Sequence, residues 1–188
     1  LRGRIRLNKT THAIRAAQVV LQYGVGAMID FPDQTLMTAA PEYWSGNIRM
    51  VYDERLETAL GVSYFGVPRG SDDPRSGEGI SYVRFPRWYF CPKCRRFQPI
   101  EVWESEYTEY HRRAGRSQPW LTDYMTMPRC VVCSGKPELV VTRIVIACRN
   151  GHIDDFPWVK WAHDRNRRGT VPVCAEPRMR FSTTVGAS

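Results

Sequence analysis

Cys91-Pro92-Lys93-Cys94 and Cys130-Val131-Val132-Cys133 are the stretches on which the fold turns. Two residues between cysteines let both thiolates face one metal ion while the intervening amides point at the sulfurs. Two such pairs complete a tetrahedral four-sulfur site of the zinc-ribbon kind. The 35 residues between Cys94 and Cys130 exceed the usual ribbon spacing of roughly 15–20. Closing the longer loop costs little more, because closure entropy grows only with the logarithm of length. The pattern therefore points to structural zinc held by Cys91, Cys94, Cys130 and Cys133. Its rivals are two disulfides in a secreted domain, four unrelated buried thiols, and redox chemistry at a lone CxxC, which a second pair disfavours.

The 188 residues suffice for one real core with a small zinc-stapled lobe beside it. Hydrophobic content of 43% and charged content of 24% are those of a folded soluble protein. The chain opens on Leu1 rather than Met and is expected to be a fragment or to lack its start. The basic opening Leu1-Arg2-Gly3-Arg4 is followed by no apolar run that would make a secretory signal. The longest apolar run, near residues 139–147, is too short to span a bilayer and contains Arg143. No membrane association is expected, and a cytoplasmic, reducing setting fits best. The 27 Lys+Arg against 19 Asp+Glu leave a formal charge of +8. Arginine dominates that excess and suits phosphate forks. DNA is thus an expected partner, with plain solubility as the alternative.

Residues 1–9 alternate Arg2, Arg4 and Arg6 with Gly3, Ile5 and Leu7, as an edge strand, basic arm or solvated terminus would. A helix is predicted from Thr10 or Thr11 to about Tyr23, stopped by Gly24. Residues 28–31 and 34–38 read as short strands joined by Pro32-Asp33. Gly24-Val25-Gly26 follows a helix, the wrong order for a phosphate cradle. Tyr52, Leu56 and Leu60 at spacings of four predict a helix over 49–60, closed by Gly61. Residues 70–79 read as a loop, and 80–90 as a strand feeding the first knuckle. The aromatics there are expected to fill the nucleus around the metal, with base stacking by Trp88 or Tyr89 as the rival. Between the knuckles, 101–110 is acidic and aromatic. The loop after it is a basic patch in which Arg112, Arg113 and Arg116 are candidate phosphate contacts. Trp120 and Tyr124 are expected to anchor this excursion. The β-branched run 139–148 predicts a central strand covered on both faces. A short helix is expected from Val159 behind Pro157. Arg165, Arg167 and Arg168 form a second basic loop, and 179–185 reads as a strand.

Cys148 and His152 lie four apart around Gly151, a spacing that can bring sulfur and imidazole to one metal. His163 and Cys174 could complete a second, mixed site, although Cys174 could instead pair with cysteines beyond Ser188. A metal hydrolase built from His152, Asp154, Asp155 and His163 is a rival. So is a plain structural reading in which an aspartate caps the next helix, His152 bonds a loop and Cys148 is core. No Walker loop, Ser/His/Asp pattern or nucleophile elbow is present, so catalytic residues are not expected.

Three segments carry a family likeness: Arg15-Ala16-Ala17-Gln18 running into Tyr23-Gly24-Val25-Gly26-Ala27; Arg84-Phe85-Pro86-Arg87-Trp88 leading into the first knuckle; and Ala147-Cys148-Arg149-Asn150-Gly151-His152-Ile153-Asp154-Asp155-Phe156-Pro157-Trp158. Together they resemble the DrmB family of the bacterial DISARM anti-phage defence system. The resemblance spans residues 15–163 and is most specific at Gly-His-Ile-Asp-Asp-Phe-Pro-Trp. Members are considerably longer, which implies an N-terminal portion. The family implies a hetero-complex with the superfamily-two helicase DrmA, binding DNA, with ATP hydrolysis in the helicase. It offers no catalytic residues to carry over.

The expected fold is α+β, a small mixed sheet with a few short helices and an inserted zinc-ribbon-like four-cysteine element. Three segments are expected: 1–79, N-terminal α+β; 80–138, the zinc-ribbon-like element with its inserted loop; and 139–188, a strand, the Cys-x-x-x-His turn and a basic loop packing on the first segment. The expected function is a non-catalytic zinc-binding subunit that binds a DrmA-like helicase and assists capture of foreign DNA. A protein-interaction scaffold and a nuclease using His152, Asp154 and Asp155 are the alternatives.

Overall fold

Thirteen prolines and fourteen glycines break the chain into short elements. The computed structural model describes residues 18, 22–31, 34–44, 48–68, 80–116, 127–164 and 172–183. The basic arm at 1–9, most of the 10–23 helix, the 70–79 loop, Trp120, Tyr124, Arg165, Arg167 and Arg168 lie outside them. In chain order the elements are β1 (Met28–Asp30), β2 (Thr35–Thr38), a 3-10 turn (Pro41–Tyr43), β3 (Ile48–Val51), α1 (Glu54–Leu60), β4 (Phe65–Pro68), β5 (Tyr82–Arg84) and β6 (Trp88–Phe90). They continue as β7 (Arg96–Pro99), α2 (Ile100–Arg113), β8 (Val140–Val141), β9 (Val145–Ala147), β10 (Ile153–Asp155), α3 (Trp158–Asp164) and β11 (Met179–Arg180). The class is α+β, with the strands in several small antiparallel sheets. No helix among the described residues is long and apolar enough to cross a membrane.

The chain forms two units, Leu1–Asp30 with Leu36–Arg84, and Phe31–Thr35 with Phe85–Ser188. The four-cysteine element and the 139–188 segment thus share one unit. In the first unit the strand order is β1-β2-β5, with Leu36 opposite Arg84 and Thr38 opposite Tyr82. A turn forms there around Gly26, which sits at φ 79° and whose amide donates to the Thr38 carbonyl.

The predicted 49–60 helix is half strand. Ile48–Val51 pairs with Phe65–Pro68 in an antiparallel ladder, and a Cβ on Gly66 would stand 2.8 Å from Ile48 Cγ2. The helix starts only after Asp53, whose carboxylate accepts from the Arg55 and Leu56 amides at 3.1 Å each. A cap and a ladder therefore override the apolar spacing. Gly61 closes the helix in the left-handed region as its position predicts. Neither β3 nor α1 has a buried residue, and Tyr52, Leu56 and Leu60 are all exposed.

The second unit is built on the sheet β11-β7-β6-β8. Its two faces follow from the period-two alternation of β6. Tyr89 points into a core of Cys91, Ile100, Trp103, Cys130 and Leu139. Trp88 and Phe90 point the other way, where Phe97, Trp158 and Phe181 stack on them and on one another at centroid distances of 4.8–5.8 Å. The predicted 80–90 strand breaks at Pro86, which follows a cis peptide bond and has no amide to donate. Its halves, β5 and β6, join different sheets.

The central strand expected at 139–148 is overturned. Val140–Val141 edges one sheet and Val145–Ala147 pairs with β10 in another. Between them Thr142 turns inward, its amide and hydroxyl both donating to the Trp88 carbonyl. Ile144 and Ile146 are 45% and 42% exposed, so β-branching marks an edge here and not a covered centre. Conversely, the stretch after the first knuckle is a fourteen-residue helix, α2. Ile100, Trp103 and Tyr107, at spacings of three and four, are its buried stripe.

Candidate metal centre

Both knuckles are held by backbone bonds before any ion is considered. The Cys91 amide donates to the Arg96 carbonyl at 3.0 Å, and the Arg95 amide to the Cys91 carbonyl at 2.9 Å. Arg95 itself sits at φ 64°, the tight reversal that turns Cys94 back toward Cys91. In the second knuckle the Cys130 amide donates to the Pro137 carbonyl and the Lys136 amide to the Cys133 carbonyl, both at 3.2 Å. Gly135 and Lys136 make the positive-φ reversal there. The neighbours Arg129 and Glu138 bridge and form an ion pair at 2.6 Å.

The four sulfurs converge, all lying within 4.8 Å of one another. Cys91 Sγ stands 3.9 Å from Cys133 Sγ, and Cys94 Sγ 3.8 Å from Cys130 Sγ. A tetrahedron with metal–sulfur bonds of about 2.3 Å has sulfur–sulfur edges of about 3.8 Å. The donor set fits a thiophilic metal ion. Cys91 and Cys130 are fully buried, and Cys94 and Cys133 half-buried.

Burial and hydrogen bonding push the thiols of this cluster in opposite directions. Burial pushes the Cys91 thiol up, but the Cys94 and Lys93 amides and hydrogen bonds from the Cys94 and Cys130 thiols overcome it and bring it down to about 7. Burial pushes Cys130 up to about 12 against the Cys133 and Val132 amides, and it raises Cys133 as well. Several thiolates packed this closely repel one another, and a dication removes that repulsion. Trp103 roofs the core, donating from Nε1 to the Tyr89 carbonyl at 3.1 Å, and Met127, Val141 and Leu139 complete the shell.

The second set of predicted ligands falls into two pairs. Cys148 Sγ lies 3.2 Å from His152 Nδ1, and His163 Nε2 lies 3.0 Å from Cys174 Sγ. Among the described residues no third of these atoms joins either pair within 4.8 Å. Cys148 is exposed rather than core, and His152 faces a thiol rather than a loop carbonyl, contrary to the plain structural reading. Hydrogen bonding to Cys174 raises His163 above its ordinary value and holds Cys174 below its own.

The adjacent aspartates do other work. Asp155 is buried and accepts from the Arg87 amide at 2.8 Å and from Arg87 Nε at 2.9 Å. Asp154 accepts from the Asp155 amide and is exposed. Neither belongs to a group of three metal-type ligands among the described residues, so no hydrolase constellation assembles there. The Arg87–Asp155 link joins the Arg-Phe-Pro-Arg-Trp and Gly-His-Ile-Asp-Asp-Phe-Pro-Trp segments; nothing local marks a bond across 68 residues.

The basic patch is not a loop. Arg112 and Arg113 occupy the last turn of α2 and both bind Glu109, at 2.7 and 2.6 Å. Those hydrogen bonds, Arg112 first, hold the Glu109 carboxyl down at about 2. Arg116 follows on the exposed turn. Trp88 is half-buried against Phe97, and Tyr89 is wholly buried, so base stacking by Tyr89 is overturned.

Fold and site together define a small α+β module built around a four-cysteine metal-type centre. The chain belongs to the family described as domain of unknown function DUF8724, whose model matches residues 15–188. It is also 26% identical over 142 residues to the DISARM protein DrmB of Bacillus paralicheniformis. That match covers 73% of this chain and 21% of the relative, so the chain spans about a fifth of the relative's length. The similarity supports relatedness to that part of DrmB.

Proposed function

We propose that the chain is a non-catalytic, zinc-binding module of a DISARM-type defence complex. In this reading it binds a DrmA-like helicase and assists capture of foreign DNA. The observation that carries it is the four-sulfur cluster, lying in a chain related to DrmB. Zinc suits four thiolates because it is thiophilic, redox-inert and content with a closed tetrahedral shell. The formal charge of +8 supports an approach to a polyanion. The helicase supplies ATP hydrolysis, and Arg116, Arg165, Arg167 and Arg168 are the phosphate contacts, with Arg112 and Arg113 secondary to them.

Mobility shifts of DNA with the purified helicase, with and without this protein, test the reading. Higher DNA affinity or faster helicase loading in its presence is expected; no change in either overturns the DNA-assisting role. Engagement of Arg112 and Arg113 by Glu109 favours a second reading, a protein-interaction scaffold without DNA contact. Charge reversal at Arg165, Arg167 and Arg168 separates the two. Loss of DNA affinity and a shallower salt slope mark phosphate contacts, whereas loss of the helicase complex alone marks the scaffold.

A further inference from the structure

We propose that Cys148, His152, His163 and Cys174 are two preformed half-sites of a second metal centre. The centre would hold one zinc-class divalent ion in a two-sulfur, two-nitrogen shell. The first half-site is the turn between β9 and β10. The Gly151 amide donates to the Cys148 carbonyl, and the Cys148 amide to the His152 carbonyl, each at 3.0 Å. Gly151 at φ 81° makes the reversal that lays the imidazole on the thiol at 3.2 Å. The second half-site lies at the end of α3. His163 Nδ1 stands 2.7 Å from the Val159 carbonyl, which only accepts, so Nδ1 carries the proton. Nε2 then faces Cys174 Sγ at 3.0 Å, with its orientation set by a backbone carbonyl, the outer-shell arrangement typical of metal-bound imidazoles.

Bonds of about 2.3 Å to sulfur and about 2.0–2.1 Å to nitrogen give a tetrahedral sulfur–nitrogen edge of about 3.5 Å. Each pair therefore needs only a small opening to straddle an ion. The pairs stand apart and must approach one another to share it. Cys148, His152 and Cys174 are exposed, and Cys174 lies in a stretch without regular secondary structure. The ligands also differ from the four-sulfur centre in donor type, which allows the two centres to be read separately.

The test is metal titration of the whole protein, first purified and then loaded with zinc, followed by cobalt substitution. Two tightly bound ions per chain are expected. The Cys148→Ser/Cys174→Ser variant should keep one, and the cobalt-substituted protein should lose about one third of its thiolate-to-metal absorption, two of six thiolates. His163→Ala, which alters an imidazole and leaves every cysteine in place, should also drop the count to one if the double variant folds poorly. A wild-type count, one or two, that the Cys148→Ser/Cys174→Ser and His163→Ala variants leave unchanged overturns the inference. Cys91→Ser and Cys130→Ser report on the four-sulfur centre alone, so failure there leaves this inference standing.

Discussion

Replacing Asp155 with alanine removes the acceptor of both the Arg87 amide and Arg87 Nε. Hydrogen bonds to a charged group contribute about 1.5–3 kcal/mol each, and less where, as here, the Arg87 side chain is half exposed to water. A loss of about 2–3 kcal/mol in chemical denaturation is expected, against less than about 1 kcal/mol for Asp154→Ala, whose side chain is exposed. Equal effects would show that the Arg87 link is not structural. Glu109 gives a pH test. Its folded value, about 2, lies below the ordinary 4.5. The stabilisation from Arg112 and Arg113 is therefore complete above about pH 4.5 and lost as pH falls from there toward 2. Following the Glu109 carboxyl by NMR should show that depressed midpoint, and Arg112→Ala should raise it. At this scale the cysteines were legible because two residues between thiols is a local geometric fact. Asp155 was not, because its partner is 68 residues away and no spacing encodes it.

Elements were legible where caps and local alternation agreed, and misread where packing decided. Gly61 and Pro157 mark the helix boundaries they predict, whereas the 49–60 pattern concealed a strand ending before the Asp53 cap. α2 was hidden by composition: its glutamates, tyrosines and arginines resemble a solvated loop, and only Ile100, Trp103 and Tyr107 are buried. Trp103→Ala should consequently cost about 3–5 kcal/mol, since it empties the roof over the sulfurs. α1 should behave oppositely. Leu56→Ser and Leu60→Ser remove apolar groups that are already wet, and the unfolding free energy should change by less than about 0.5 kcal/mol. A large loss at either leucine would mean that this helix is covered.

For the whole molecule, the α+β class and the clustering of the four cysteines were readable from sequence. The knuckles read as a separate inserted element, yet their sulfurs lie in the same core as Tyr89, Ile100 and Leu139. Metal removal should therefore reach beyond the knuckles. A strong chelator is expected to broaden the amide resonances of β6, α2 and β8 together, and re-addition of zinc to restore them. If only residues 91–94 and 130–133 respond, the centre is an appendage of the core and not part of it. The wide separation of the knuckles also has a consequence during synthesis. Cys94 leaves the ribosome 36 residues before Cys130, a lag of about 2–7 s at 5–20 residues per second. For that interval the nascent chain carries two thiols without their partners, open to oxidants and to capture of the wrong ion. Protein made under oxidative stress should accumulate damage at Cys91 and Cys94, the pair made first, ahead of Cys130 and Cys133.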